Sequence, residues 1–427
     1  MREEKLKGKR LLVLGGAIQC CKVAEAAKAM GVYTIVTDRC ANQKMIAMAD
    51  EILPYSVTDS ASILAWCKAH PVDGVINFCI DYAQHTHQRV CAELGLPSYG
   101  TPEQYRILTD KTAFKAFCRN NGVDVIDEYG EDELDRIEYP VLVRPSESSG
   151  SRGATVCRCQ EELLPALTAA KAESRNSKAI IERYMGGKPD FSCAYIVIDG
   201  EPYLYRTADR YLGRVDDNLQ RQCICSTQCS KYTDMYVKKV NDRVSSMIRR
   251  LGLKNTPLML QGFVDGDTVR FYDQGIRFSG SEYERISKRC TGVDVVKAFV
   301  GYALGEPLSA LAPQLKDIFL LNDLCAMQIL LDVYPGKISS IDGIEAIAEL
   351  PFVESVQQKH FAGDVIPASG DVSQRAFELV VIVDKDPKAM EEAIETIRKL
   401  VSIRDERGEN MLTPLIDPSR LSMYDHP

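Results

Sequence analysis

The first hundred residues alternate short apolar runs with longer stretches in which apolar positions recur every three to four residues. Apolar runs of this length are typical of buried strands, and the longer periodic stretches are typical of helices. We predict strands at residues 9–15, 32–38, 49–54 and 72–78, and helices at residues 20–30, 61–70 and up to 95. Strands that alternate with helices in this way predict a parallel, doubly wound α/β sheet.

The pattern changes after residue 101, where strands begin to follow one another directly. An Asp-Gly-Asp turn at residues 265–267 separates two apolar runs and predicts an antiparallel hairpin. The other elements predicted up to residue 305 are helices at 105–121, 161–172 and 236–251, and strands at 139–144, 154–159, 179–184, 191–198 and 203–207. Strands with intercalated helices and hairpins indicate an α+β domain.

The last 120 residues predict a smaller α+β domain. Its predicted elements are a helix at 313–331, a strand and a helix within 336–352, a strong strand at 375–383 and a charged amphipathic helix at 390–400. We therefore divide the chain into three domains, at residues 1–105, 106–305 and 306–427.

Length, charge and cysteine usage narrow the class of protein. The 427 residues exceed the roughly 250–300 at which a single core stops growing, so several domains are expected. The net charge of −8, with both signs interspersed, disfavours nucleic acid as a partner. No apolar stretch reaches the ~18–20 residues of a membrane span, so no membrane association is expected. Fifteen unpatterned cysteines without a signal peptide indicate a reducing, cytoplasmic location.

Two alternative chemistries, a zinc site and a nicotinamide cofactor, fit these patterns less well. Cys223, Cys225 and Cys229 are clustered within the sequence QCICSTQCS. Zinc sites usually pair such units with further Cys or His, and no His lies nearby, so reduced thiols are favoured over a metal site. A nicotinamide cofactor would require glycines in the register G-x-G-x-x-G after the first strand. The turn GGAIQC lacks the second and third of them, although Asp38 ends the second strand suitably.

The middle domain carries the residues that suit phosphate chemistry. The loop SESSGSRG at residues 146–153 follows a strand, and its small residues let successive backbone N–H groups point at phosphate oxygens. Lys111 and Arg144 supply cations, and Glu182 ends an apolar strand. Asp273 lies inside another apolar strand, where a carboxylate is costly unless it is paired or bound to metal. Taken singly, each of these residues is also typical of a turn or of a solvated surface.

The order and spacing of the motifs resemble those of the ATP-grasp superfamily, over about residues 8–305. The run consists of DK, YPVLVRP, SSGSRG, IIERYMGG and Q-x₁₁-D-x-G-x-R-FSGS. The resemblance implies a nucleotide held between two α+β subdomains, with a lid at about residues 140–185. The first hundred residues are similar to the family's pre-ATP-grasp domain. The C-terminal part is similar to the closing domain of biotin-carboxylase-like and L-amino-acid-ligase-like members.

The resemblance implies a binding role for residues along the whole middle domain. Lys111 and Arg144 correspond to the two cations near the phosphates, and Ser149, Gly150 and Ser151 belong to the phosphate loop. Glu182 corresponds to the acid at the adenine edge, and Tyr184 and Met185 provide the flanking backbone. Asp190 corresponds to the acid that holds the ribose. The nucleotide implied is ATP.

The resemblance also implies a Mg²⁺ site, with Mn²⁺ as an alternative ion. Its ligands would be Gln261 and Asp273, which are 12 positions apart in the sequence. Gln at the first position resembles the carbamoyl-phosphate-synthetase branch, whereas Gly275 stands where the family usually has Asn. One carboxylate remains at the pair, so one ion is favoured over two. Arg277 would grip the phosphorylated substrate, because a guanidinium fork suits phosphate oxygens.

The function implied is that of an ATP-dependent carboxylate–amine ligase, which forms an acyl phosphate and releases ADP and phosphate. Its partners would be a small carboxylic acid and an amine, and a homodimer is possible. Two alternatives stay open: a carboxylase or carbamoyl-phosphate-type enzyme that uses bicarbonate, and a regulator that binds ATP without turnover. Substrate choice would come from residues 81–87, 205–214 and 279–285. The arginines of RTADRYLGR either grip a second carboxylate or lie on a solvated hairpin.

Overall fold

A parallel sheet forms the N-terminal part of the chain in the computed structural model, which describes residues 5–130, 133–147, 153–213, 223–368, 372–384 and 386–421. Its strands are β1 (Arg10–Leu14), β2 (Tyr33–Thr37), β3 (Glu51–Leu53) and β4 (Gly74–Ile76). All pairs are parallel, in the order β3-β2-β1-β4, so the predicted doubly wound sheet is confirmed. The helices that accompany it are α1 (Cys21–Ala29), α2 (Gln43–Met48), α3 (Ser60–Ala69) and α4 (Gln84–Leu94).

Two helices lead from this sheet into the middle of the chain, where one was predicted. They are α5 (Pro102–Thr109) and α6 (Lys111–Asn120). Asp110 between them has an extended backbone, and its carboxylate accepts a hydrogen bond from the Ala113 N–H. A side chain that caps a new helix in this way competes with continuation of the previous one. The prediction of one continuous helix at 105–121 is therefore wrong, because the segment forms parts of two helices.

A four-stranded antiparallel sheet follows, which we call the small sheet. It has the order β5-β8-β6-β7 and is covered by one helix. Its elements are β5 (Glu128–Tyr129), β6 (Val141–Pro145), β7 (Thr155–Cys157), α7 (Leu163–Glu173) and β8 (Ala179–Arg183). Its own core consists of Val141, Val143, Cys157, Leu163, Ala166, Leu167, Ala170 and Ile181.

An eight-stranded sheet, the large sheet, joins the rest of the chain in the order β13-β12-β9-β10-β11-β14-β18-β16. Its strands are β9 (Asp190–Ile198), β10 (Glu201–Leu212), β11 (Cys223–Gln228), β12 (Thr256–Asp265), β13 (Thr268–Gly275), β14 (Leu324–Asp332), β16 (Val353–Gln358) and β18 (Arg375–Asp384). Helices α8 (Thr233–Lys239), α9 (Asn241–Leu251), α10 (Tyr283–Thr291) and α11 (Val295–Ala303) lie between these strands in sequence. Strands from both sides of residue 305 belong to this sheet, because β11 pairs with β14. The domain boundary near residue 305 stays a prediction.

The helix predicted at 313–331 is wrong. The segment forms two short 3₁₀ turns, Ala312–Leu315 and Ile318–Asp323, and then strand β14. Leu321 and Asn322 have positive φ, which ends any helix before the strand begins. Strand β14 is buried along almost its whole length between β11 and β18. A continuous apolar run buried on both faces has no alternation, so its period does not separate strand from helix.

The C-terminal residues add a second small α+β layer. A three-stranded sheet of order β17-β15-β19 contains β15 (Gly336–Asp342), β17 (Val365–Ile366) and β19 (Ser402–Asp405). Helices α12 (Ile344–Ala348) and α13 (Pro387–Leu400) complete it, and α13 confirms the predicted amphipathic helix. Within the part of the chain that the structure describes, no helix combines the length and the apolar character needed to cross a membrane.

Candidate active site

A cavity of about 370 Å³ lies between the small sheet and the large sheet. Both sheets line it, and the N-terminal part of the chain adds residues from the start of α4. The predicted site residues among its lining are Lys111, Arg144, Glu182, Tyr184, Met185, Asp190, Gln261, Asp273 and Arg277. The structure therefore brings together, around one cavity, residues that are up to 166 positions apart in the sequence.

The predicted metal ligands face each other across the β12–β13 hairpin. Gln261 and Asp273 are direct cross-strand partners, and a register shift follows Gln261. One oxygen of Asp273 lies 3.3 Å from the Lys111 ammonium group, and a third of the side chain stays exposed. Burial raises the pKa of Asp273, but the charges of Lys111 and Arg144 outweigh burial and lower it below its ordinary value. Asp273 is therefore an anion at neutral pH and is available to a cation in the cavity.

The donor set fits one hard cation. An amide oxygen and a carboxylate are ligands that Mg²⁺ accepts, provided that phosphate oxygens and water complete the octahedron. The Gln261 Oε1 atom has only a long hydrogen bond, 3.3 Å from the Tyr272 hydroxyl. Among the described residues, no group of three or more His, Cys, Asp or Glu side chains is placed to hold a metal ion without such help.

Arg277 is held at the cavity by a carboxylate from the N-terminal part of the chain. Its Nε and Nη2 atoms donate to the two oxygens of Asp81 at 2.5 and 2.9 Å, and Nη1 donates to the Phe278 carbonyl at 2.7 Å. Burial lowers the pKa of Arg277, but Asp81 outweighs burial and raises it. This fork-to-fork pair fixes the plane of the guanidinium group. Asp81 belongs to one of the predicted specificity segments and was not itself predicted as a partner of Arg277.

Glu182 is fully buried and neutralises two cations. Its oxygens accept hydrogen bonds from Arg144 at 2.6 and 2.9 Å, and one of them also accepts from Lys115. Arg144 donates to the Tyr272 carbonyl as well, at 2.6 Å. These bonds tie the small sheet to strand β13. The contact of Glu182 with an adenine amino group stays a prediction, and its structural role is to hold Arg144.

Lys115 is the residue that sequence reasoning missed at this place. It is completely buried on α6, and burial together with the charge of Arg144 lowers its pKa to about 7. It lies one helical turn after Lys111, which is also buried. The sequence does contain a signal, because Lys115 follows Phe114 and precedes Cys118 on the apolar face of the helix. A lysine in such a position requires a buried acid.

The predicted ribose acid, Asp190, is also buried and paired. One of its oxygens accepts from Arg210 at 2.8 Å, and both lie 3.2–3.3 Å from the Tyr272 hydroxyl. Burial raises the pKa of Asp190 despite the charge of Arg210. Tyr184 and Met185 follow β8 along the cavity wall, and the Met185 carbonyl accepts from the Lys188 N–H at 3.1 Å.

The predicted phosphate-loop residues Ser149, Gly150 and Ser151 lie outside the described part of the chain. On its N-terminal side, Ser146 donates to Asn176 at 2.8 Å, and Asn176 in turn donates to Asp110 at 3.0 Å. These bonds attach the beginning of the loop to the residue just before Lys111. The cysteines of QCICSTQCS lie elsewhere: Cys223 and Cys225 belong to β11, and Cys229 donates to the Phe319 carbonyl.

Comparisons with known proteins place part of the chain in a family of ATP-binding domains. Residues 119–198 match the family model of the carbamoyl-phosphate synthase L chain, ATP binding domain. The methylcrotonoyl-CoA carboxylase subunit alpha of Glycine max is 27% identical over 205 residues, which is 41% of this chain and 27% of that protein. The biotin carboxylase of Allochromatium vinosum is 20% identical over 319 residues, which is 67% of this chain and 68% of that protein. The match thus spans about a quarter of the first relative and two thirds of the second.

Solved structures show the same fold over nearly the whole chain. An L-amino acid ligase from Bacillus licheniformis has a TM-score of 0.77 at 16% identity, covering 94% of this chain and 99% of that one. Phosphoribosylglycinamide synthetase from Anaerococcus prevotii has a TM-score of 0.74 at 16% identity, covering 94% and 100%. The biotin carboxylase domain of the Hydrogenobacter thermophilus 2-oxoglutarate carboxylase, solved with MgADP and bicarbonate, has a TM-score of 0.72 at 18% identity, covering 92% and 91%. At these identities the likeness establishes the fold.

Proposed function

We propose that the chain is an ATP-grasp enzyme, and that it is an ADP-forming ligase which activates a carboxylate as an acyl phosphate and transfers the acyl group to an amine. The observation that supports this proposal is the convergence of Lys111, Arg144 and Arg277 on the cavity that contains Asp273. Cations that converge on one cavity beside a partly exposed carboxylate suit a polyphosphate and a metal ion better than they suit a neutral ligand.

The residues have separable tasks in this reaction. Lys111 and Arg144 neutralise charge on the phosphate groups of ATP, while Arg277 grips the phosphoryl group as the acid attacks it. Mg²⁺, held by Gln261 and Asp273, would supply further neutralisation of the same charge. Asp81 keeps the Arg277 guanidinium in place through its two hydrogen bonds. The amine then displaces phosphate from the acyl phosphate, which forms the C–N bond.

The decisive assay is ADP release by the purified protein with Mg·ATP, in the presence of pooled amino acids and small carboxylic acids. Asp273→Asn removes the only carboxylate of the predicted metal pair and should reduce stimulated ADP release by on the order of 10²–10³-fold, as loss of one well-placed electrostatic group does. Asp267→Asn is the matched control, because Asp267 lies in the turn of the same hairpin with 76% of its side chain exposed.

Two results would contradict the proposal. If no pool stimulates ADP release although ATP binds, the chain acts as a nucleotide-binding regulator. If Asp273→Asn retains the wild-type rate, the cavity geometry does not describe the reaction centre. A homodimer, also expected from the resemblance, stays a prediction that light scattering tests.

A bicarbonate-dependent reaction is the second candidate. It is favoured by the sequence match to biotin carboxylase, which covers two thirds of both chains. ADP release that depends on bicarbonate, and that amino acids do not increase, would select this reaction over the amide-forming one. The same Asp273→Asn variant should be inactive in both cases, so the choice depends on the co-substrate.

A further inference from the structure

His85 is an imidazole in the lining of the candidate active site to which the proposed mechanism gives no task. It is the second residue of α4, and it is exposed. The 3₁₀ turn Asp81–Ala83 leads directly into this helix. His85 and Asp81 both line the cavity of about 370 Å³, so a ligand in the cavity can reach the two side chains.

A contact with Thr109 fixes the tautomer of His85. The Thr109 hydroxyl donates its one proton to the Tyr105 carbonyl at 2.8 Å, so it acts as acceptor in its 3.3 Å contact with Nε2 of His85. In the neutral ring Nε2 therefore carries the proton, and Nδ1 carries a lone pair. Nδ1 has no hydrogen-bond partner among the described residues. Partial burial lowers the pKa of His85 below its ordinary value, while Glu147 and Arg175 act on it in opposite directions, so the ring is neutral at pH 7.

Asp81 provides an accessible carboxylate in the same cavity. Its two oxygens accept from Arg277 at 2.5 and 2.9 Å, and 32% of its side chain is still exposed. Gln84 approaches one of these oxygens at 3.4 Å and is itself fixed, because its Oε1 atom accepts from the Ile276 N–H at 3.1 Å. A carboxylate has about four acceptor positions. The donors of Arg277 and Gln84 do not use all of them, so Asp81 keeps the capacity to accept from a ligand.

The other acids among the described lining residues already have tasks. Glu182 and Asp190 are buried and paired with arginines. Asp273 belongs to the predicted metal pair, and Glu147 accepts from Asn176 at 3.2 Å at the beginning of the phosphate loop. The carboxylate that remains for a substrate is therefore the one beside the arginine that grips the phosphoryl group.

A carboxylate at that place requires a cation. The proposed mechanism brings a phosphoryl group to Arg277, and the negative charge of Asp81 beside the same guanidinium repels that group. A cation bound to Asp81 removes the repulsion. The amine substrate arrives as such a cation, because ordinary amines have pKa values above 7. It must also lie beside the acyl phosphate in order to attack it.

We propose that Asp81 and His85 bind the ammonium group of the amine substrate, with one N–H donating to the Asp81 carboxylate and another to Nδ1 of His85. The inference rests on the proposed ligase function and concerns its amine substrate. A primary ammonium group has three donors, so it satisfies both acceptors and keeps one donor for water or for the second substrate. A hydroxyl group has one donor and no charge, so it does not replace the ammonium group. The ammonium group belongs either to an amino acid or to an amine without a carboxylate.

A binding experiment tests the inference without turnover. Thermal unfolding with Mg·ADP is measured in the presence of the common amino acids and of ethanolamine, propylamine and benzylamine, each beside the analogue with a hydroxyl group in place of its ammonium group. We expect at least one ammonium compound to raise Tm of the wild type, its hydroxyl analogue to fail, and His85→Leu and Asp81→Asn to lose most of the shift. The two compound series distinguish the two sources of the ammonium group.

Two further variants make the binding experiment specific. His85→Asn should keep part of the shift, because its carboxamide oxygen can accept in place of Nδ1. His70→Leu is the matched control, since His70 is exposed at the end of α3 and does not belong to the described lining of the cavity. It should show the full shift.

An activity experiment separates amine binding from the formation of the acyl phosphate. With the substrates found in the ADP assay, His85→Leu should raise KM for the amine by on the order of 10-fold, as loss of one hydrogen bond to a charged group does. KM for ATP and for the acid should stay unchanged. Acyl phosphate formation without amine is followed by the exchange of labelled oxygen between the bridging and terminal positions of ATP. His85→Leu should keep the rate of this exchange, whereas Asp81→Asn should lower it, because Asp81 also holds Arg277.

The outcomes separate the inference from the proposed function. Equal stabilisation of wild type and His85→Leu by every ammonium compound, equal stabilisation by the hydroxyl analogues, or stabilisation by no compound overturns the inference. An unchanged KM for the amine in His85→Leu also overturns it. If ammonium binding depends on His85 but no acid gives isotope exchange or ADP release, the proposed ligase function fails and the ammonium site stands.

Discussion

His87 is a buried base whose protonation should destabilise the fold. It lies on α4 with 1% of its surface exposed. Its Nδ1 atom is 2.7 Å from the Tyr105 hydroxyl, and its Nε2 atom is 3.3 Å from the Val75 carbonyl. The neutral ring satisfies both contacts, because Nε2–H donates to the carbonyl and Nδ1 accepts from the tyrosine. Burial lowers the pKa of His87 from 6.5 to about 4, despite the opposing effect of the Val75 carbonyl.

The sign and the size of the effect follow from proton linkage. Between pH 6.5 and pH 4 the unfolded chain binds a proton at His87 that the folded chain does not bind. The free energy of unfolding therefore falls as the pH falls through this window. A pKa difference of two to three units corresponds to about 3 kcal/mol. This contribution is fully present above pH 6.5 and is lost at pH 4.

Urea unfolding of the wild type and of His87→Gln, measured at pH 7, 6, 5 and 4, isolates the contribution of this one group. Other groups also titrate in this range, so the difference between the two proteins is the quantity of interest. The wild type should lose about 3 kcal/mol more than His87→Gln between pH 7 and pH 4. His70→Gln is the control, because His70 is exposed at the end of α3. Parallel pH profiles for the wild type and His87→Gln would refute the reasoning.

Two further substitutions test the packing around the site by urea unfolding. Glu182→Gln leaves Arg144 and Lys115 buried without their shared carboxylate, so it should cost about 3–5 kcal/mol. The control is Glu103→Gln, which removes a charge from an exposed pair and should leave the free energy of unfolding nearly unchanged. Equal losses in the two variants would contradict the role of burial. Gly74→Ala would place a methyl group 2.3 Å from the Ala303 carbonyl oxygen, so it should cost about 1–3 kcal/mol. The control is Gly280→Ala, whose methyl group would meet no atom within 4 Å, and a neutral Gly74→Ala would show that β4 and α11 are not in tight contact.

The structural features that were predicted most accurately are those that depend on residues close together in the sequence. The Asp-Gly-Asp turn specifies a short hairpin, and the 12-residue spacing then places Gln261 and Asp273 on opposite strands, as the structure confirms. The parallel N-terminal sheet was predicted for a similar reason, because each strand and each helix carries its own period. The fold class therefore followed from patterns that extend over ten to twenty residues.

The sequence failed where distant residues decide the outcome. The sequence of β14 does not distinguish a strand from a helix, because burial on both faces removes the alternation of apolar and polar residues that marks a strand. Only its position between β11 and β18 in the large sheet makes it a strand. The partners of the site residues were missed for the same reason. Asp81 and Arg277 are 196 positions apart, and Lys115 and Glu182 are 67 apart, so no local pattern relates them.

The pairing of the site residues also explains how an acidic chain can offer a site for polyphosphate. Three cations of the cavity each have an acid of the protein as a partner: Lys111 has Asp273, Arg144 has Glu182, and Arg277 has Asp81. The three acids come from the large sheet, the small sheet and the N-terminal part of the chain.

An incoming polyphosphate would therefore exchange partners with internal carboxylates and would not rely on a basic surface. In the proposed function, Asp273 would pass from Lys111 to a metal ion. Glu182 and Asp81 each hold two donor atoms of one guanidinium group. The net charge of the chain does not report these ion pairs inside the cavity. The charge of −8 disfavours nucleic acid as a partner, yet it contains no information on a cavity where cations from three parts of the fold converge.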